Sequence, residues 1–231
     1  MTKNNLLKVL AIIAISFNFS ACSTISSLTA MMPEGNPDNV DTRLLKQSGD
    51  HLVKSYGVAM DAVVASQANI ARALNLDNEI IDLQNQQKAL KSGNITAEGV
   101  EKSIEISESV NKKIQEAMKN ADALDSRAKQ ELIKGLGNYI KSIGGVGLIA
   151  ASALEFTAAA AQTMADAPLA DKKAAYKKIA AECGVAKVVA QEMPALLKNM
   201  KKAATDFIDY AKNSGIEVES IQNQLTSMAG F

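Results

Sequence analysis

The sequence has no tryptophan, and aromatic residues make up only 4% of it. It holds one histidine, two cysteines and four prolines, and its 25 basic side chains are matched by 25 acidic ones. Each scarcity removes a class of function. A balanced charge argues against a nucleic-acid binder, which needs a concentrated basic footprint. Two cysteines cannot build a disulfide framework. The lone histidine, His51, has only Asp50 beside it in KQSGDHLVKSY and no ligand-type residue at i+4, so a metal or general-base role lacks partners and the residue reads as solvated. No stretch of strand length alternates apolar with polar residues, and no unit recurs every 20–50 residues. The patterns GxxxxGK[ST], HExxH, CxxC and GxSxG are missing too, so the chain is read as a non-enzyme with no cofactor and no metal.

What is abundant is helix-forming: Ala, Lys, Ile, Leu, Met, Gln and Glu dominate the body of the chain. The expected fold is all-α, an elongated antiparallel helical bundle of four or five helices, two or more of them long, filling residues 41–231. Residues 42–91 carry Val53, Tyr56, Met60, Val63, Ile70, Leu74 and Ile81 at spacings of three, four and seven. A second line of Leu76, Ile80, Leu83, Gln87 and Leu90 takes over after a stutter at 75–78. Ser92, Gly93 and Asn94 end that helix, and Thr96 caps a second one, whose face of Val100, Ile104, Ile114, Met118, Ala121, Ala128, Leu132 and Tyr139 runs to about residue 142. Beyond it, Asp166 and Pro168 mark a stop. A helix from Asp171 buries Ile179, Cys183 and Ala186 beside Tyr176 and kinks at Pro194; Ser214 and Gly215 end it, and 218–228 can add a last short helix. Cys183, flanked by apolar residues, is expected to be a buried free thiol, with an intermolecular disulfide as the alternative.

The segment 142–165 stands apart. Glu155 is its only charge, Gly144, Gly145 and Gly147 interrupt the helical pattern at its start, and Gly147 and Ala151 have the small-xxx-small spacing that permits close helix contact. Residues 145–150 also fit a loose G-x-G-x-x-A fingerprint, but the preceding residues 139–143 complete a helical face and no βαβ unit surrounds them. Two readings of the segment compete. Small residues on every side suit a central helix closely surrounded by others. The same residues suit a membrane-active hairpin, though a charge such as Glu155 at mid-bilayer costs about 2.5 kcal/mol or more.

The N-terminus supplies a location. Lys3 and Lys8 flank a polar start, residues 9–17 are almost wholly apolar and too short to span a bilayer comfortably, and Phe19, Ser20 and Ala21 lead to Cys22. This resembles the lipobox of bacterial lipoproteins, with Phe19 where the family usually has Leu. The resemblance implies removal of a signal peptide, residues 1–21, and acylation of Cys22. At about 0.8 kcal/mol per buried CH₂, two or three acyl chains would hold the chain on a membrane. Ser23 after the cysteine implies the outer membrane of a Gram-negative cell; the cell membrane, or secretion without lipid, are the alternatives. Removal of Lys3 and Lys8 takes 25 basic residues to 23 against 25 acidic ones. Residues 22–40 read as the lipidated cysteine and a flexible tether with a reach of roughly 20 to 25 Å. The expected function is a structural, adaptor or assembly lipoprotein; the alternative is a membrane-perturbing or pore-forming protein using 142–165. Its partners are the membrane and a protein partner or second copy, docked along polar runs such as 85–91, 196–202 and 221–225.

Overall fold

The computed structural model describes residues 33–120 and 124–227. Among them the structure is all-helical: α1 is Arg43–Ala73, α2 Asp77–Lys91, α3 Ala97–Asn120, α4 Ser126–Asp166, α5 Lys172–Asn213 and α6 Glu219–Ser227. Two single-turn 3-10 helices, Pro37–Asn39 and Leu169–Asp171, complete the order. The all-α expectation holds, with six helices rather than four or five: two stretches that read as continuous are broken, and the end of the second expected helix is continuous with 142–165. In 42–91 the stutter is a true stop. Asn75 takes φ of 57°, a left-handed conformation that asparagine tolerates, and the amides of Asn75 and Leu76 return to the carbonyls of Arg72 and Ala71. That is a Schellman closure with Asn in glycine's place. In 97–142 the apolar face hides a second break: α3 ends at Asn120, and Asp125 starts α4 by accepting from the Ala128 amide at 2.7 Å.

The glycines at 144, 145 and 147 do not interrupt anything. α4 runs unbroken for 41 residues. A glycine inside a helix costs about 1 kcal/mol, and burial of Ile143, Val146, Ile149 and Phe156 on the inner side offsets it. At Pro194, where a kink or a fresh start was expected, the helix continues with helical backbone dihedrals. The non-helical residue inside α5 is Cys183, at φ −124° and ψ 18°. Proline removes a single amide donor, and Met193 and Leu196 on either side are seated in the core at 0–1% exposure, holding the helix through that point.

α1 packs chiefly on α4 and α2, α4 on α5, and α3 on α5. Three places record how α1 meets α4. A methyl group placed on Gly135 would lie 2.7 Å from Ile70 Cγ1, one on Gly145 would lie 3.7 Å from Ala59 Cβ, and one on Gly49 would lie 3.2 Å from Phe156 Cε2. The core is largely apolar, with a buried Gln86–Ser103 pair between α2 and α3 and a longer buried relay between α1, α3 and α4. Gln67 Nε2 donates to the Ser107 carbonyl at 2.8 Å and to Asn111 Oδ1 at 2.8 Å, and Asn111 Nδ2 donates to Tyr139 Oη at 2.9 Å. Satisfied polar groups at such depth fix one register of α3 against its neighbours.

Candidate functional site

Cys22, residues 1–21 expected to form a signal peptide, and the first part of the expected tether lie outside the described residues. The rest of the supposed tether is a strap bound to the start of α5. Glu34 bridges Lys173 and Lys177 at 2.7 Å each, and the two ammonium groups hold its carboxyl down at about 2. Asp171 stands at the N-cap of α5 but makes no cap hydrogen bond there. Its carboxylate accepts instead from the Asn36 amide at 2.7 Å and from Asn39 Nδ2 at 3.0 Å, which keeps its pKa below the ordinary carboxylate value. Lys178 Nζ donates to the Val40 carbonyl at 2.8 Å, and Val40 is buried with Ala167 and Ala175. Gly35 has φ of +67°, and a Cβ there would sit 2.6 Å from the Ala170 carbonyl oxygen, so only glycine fits. Composition alone marked 33–40 as tether. Their partners lie more than 130 residues away, and no local pattern encodes such a contact.

The strap closes on the corner where α4 ends. Lys172 Nζ donates to the carbonyls of Met164 and Ala165, the latter at 2.9 Å, covering open carbonyls at the C-terminus of α4. Desolvation lowers the pKa of Lys172. Pro33 and Glu34, where the described residues begin, therefore lie beside that corner.

From there the apolar half of α4 runs inward along the protein, and it is not surrounded on every face. Ile143, Val146, Ile149, Ala153, Phe156 and Ala160 point into the core, while Leu148, Ala151, Leu154, Ala158 and Ala159 are exposed. Leu148 is 63% and Leu154 68% accessible. Among the described residues α4 is the one helix long and apolar enough to cross a membrane by length and composition; its most apolar part has mean hydropathy 1.6 and is 39% buried. Periodicity marks this face only weakly, through the exposed Glu155 and Gln162 seven residues apart, because small apolar residues fill the other sides. Of the residues singled out in the sequence, Gly144 and Gly145 are half-buried and Gly147 is buried, but Ala151 and Glu155 are exposed. Gly147 and Ala151 therefore do not share one helix contact within this chain; the tight approach of α4 to α1 falls to Gly135, which the sequence pattern did not single out.

Glu155 shares a shallow recess of about 440 Å³ with Leu44, Gln47, Ser48, His51 and Ser152. The fold thus brings His51 near a carboxylate that sequence spacing did not, although no hydrogen bond joins these side chains. A larger groove of about 850 Å³ lies between α1, the α2–α3 turn and the bend of α5. Val53, Val58, Leu90, Ile95 and Val185 line it, with Lys54, Asp61 and Lys91 among its polar groups. Cys183 adjoins it as a buried free cysteine, its thiol pushed up by desolvation and then by Glu182 and Asp50, which disfavours the thiolate. Among the described residues no three His, Cys, Asp or Glu side chains are grouped to hold a metal ion.

The chain matches no protein-family model, no curated protein and no solved structure, so the site is read from its own geometry.

Proposed function

We propose that the chain is an exported lipoprotein, acylated at Cys22 after loss of residues 1–21, whose helical body serves as a structural, adaptor or assembly element at the outer membrane of a Gram-negative cell. The observation that carries this reading is the strap. A tether bound by Glu34, Asn36, Asn39 and Val40 at one corner gives the body a fixed point of attachment, which a lipid anchor needs if it is to orient the protein as well as retain it. The body is an elongated antiparallel bundle in this reading. In support, residue numbers rise along α4 through 135, 145 and 156 while their α1 neighbours fall through 70, 59 and 49. No reaction and no cofactor enter the proposal; a protein partner or a second copy does.

The deciding experiment is replacement of Cys22 by Ser, with labelling by radioactive palmitate and fractionation of the cells. Loss of label and release from the membrane are expected. A wild-type chain that takes no label, with a variant that stays in the same fraction, defeats the proposal.

The exposed leucines of α4 favour a second reading, in which 142–165 perturbs or enters a bilayer. Dye release from vesicles by the full chain carrying Cys22→Ser tests it. Release that disappears with Leu148→Lys or Leu154→Lys supports that reading, and no release at micromolar protein removes it.

A further inference from the structure

We infer that the outer face of α4 is a membrane-contact surface that lies flat on the lipid bilayer, with the boundary between headgroups and acyl chains as its occupant. The inference rests on the lipid-anchor reading and adds to it which side of the body the membrane touches.

The chemistry of the face comes first. Leu148 and Leu154 stand out from an exposed face that also carries Ala151, Ala158 and Ala159, so the surface is largely apolar over several turns, with Glu155 and Gln162 as the exposed polar side chains among them. Glu155, the one charge between Lys141 and Asp166, lies within this face, four residues after Ala151 and three before Ala158, and borders the recess with His51, Gln47 and Ser48. Lys141 is exposed where the apolar stripe begins and Asp166 where it ends. An apolar face bounded by polar residues is the pattern of a helix lying in the interface. Leu44, 82% exposed, borders the same recess, and Leu169, 81% exposed, follows α4 at the corner.

The anchor then places the bilayer. The strap delivers the chain to the end of α4, and Cys22 lies a short way upstream of Pro33. Whatever its conformation, that segment spans at most about 36–40 Å. Leu154 and Leu148 lie roughly 18 and 27 Å along the helix from Asp166 at 1.5 Å per residue, so the whole face is within reach of the surface that holds the acyl chains. The contact is flat because the other side of the same helix is committed: Val146, Ile149, Ala153 and Phe156 are all under 5% exposed in the core.

The test uses full-length protein purified from its own membrane and reconstituted into phosphatidylethanolamine and phosphatidylglycerol vesicles, with or without brominated lipid. The sequence has no tryptophan, so Leu148→Trp and Leu154→Trp each give a single emission, and Val58→Trp, at an exposed site on α1 beside the larger groove, is the control. Brominated lipid is expected to remove about half of the emission at 148 and 154, as burial at the acyl boundary requires, and to leave 58 nearly unchanged. Unquenched emission at 148 and 154, or equal quenching at all three sites, overturns the inference. So does a doubled mass in detergent with 148 and 154 shielded from iodide, since a second copy would then cover the face. The mass of Cys22 in the same preparation reads the anchor independently. Acyl chains without quenching defeat this inference alone, while quenching without acyl chains supports the face and defeats the anchor.

Discussion

A single methyl group decides whether the strap can close. Gly35→Ala places a Cβ 2.6 Å from the Ala170 carbonyl oxygen on a backbone with φ of +67°, and strain of this kind costs roughly 1 to 3 kcal/mol. Residues 34–40 of the variant are expected to exchange their amide protons much faster, with exchange in the α4–α1 core unchanged, as read by mass spectrometry. Acid opens the same contact by another route. Lys173 and Lys177 hold the Glu34 carboxyl at about 2, below its ordinary 4.5, so the folded state binds this proton less readily than the open one. The stabilisation is complete above pH 4.5 and is lost as pH falls through that value toward about 2. Asp171, also held below its ordinary value by Asn36 and Asn39, shifts in the same sense. Strap protection is therefore expected to decline on the acid side of that range and to be flat from pH 5 to 8. Glu34→Gln is expected to weaken the acid dependence. Undiminished protection at pH 2.5 would sink the account.

At the scale of helices, the buried relay of Gln67, Asn111 and Tyr139 carries the testable weight. Tyr139 is fully buried, its hydroxyl pushed well above the ordinary tyrosine range by desolvation, and its ring meets Phe207 with centroids 5.5 Å apart. Tyr139→Phe keeps the ring and strips the acceptor from Asn111 Nδ2, a loss worth about 1 to 3 kcal/mol for a buried donor left alone. A lower urea midpoint at unchanged slope is the expected signature. The faces that bury these helices were legible in the sequence. Tyr56, Met60, Val63 and Ile70, and then Val100, Ile104 and Ile114, follow the helical period, and the structure buries all of them. The breaks were not, because Asn75 and Asp125 are single-residue signals set against an apolar face that runs on past them. The strap was illegible for a different reason: its code is charge and shape complementarity between residues 34–40 and 171–178. Within the candidate site, 142–165 stood out by composition, yet which of its faces is free depends on where α1 and α5 dock.

For the molecule as a whole, the open matter is whether α4 stays on α1 when the protein works, and one covalent link tests it. The Cβ positions of Ala59 and Gly145 lie 3.7 Å apart, inside the range that a disulfide accepts. Ala59→Cys with Gly145→Cys is therefore expected to oxidise to an intrachain bridge, with Cys183 buried and spared. Closing a loop of that length adds about 4.6 kcal/mol of stability, read as a higher denaturation midpoint that falls back on reduction. The bridge then separates the two membrane readings. A protein that lies on the bilayer by the outer face of α4 keeps its inner face packed, so bridged and reduced forms should bind vesicles equally. A protein that inserts 142–165 must peel α4 off α1 and expose Val146, Ile149 and Phe156, a step the bridge forbids. Leakage that appears only after reduction would show that the helix leaves its seat. Equal vesicle binding in both redox states, without leakage, would place the function in a body that stays folded as an intact surface, held at the corner where the strap is tied.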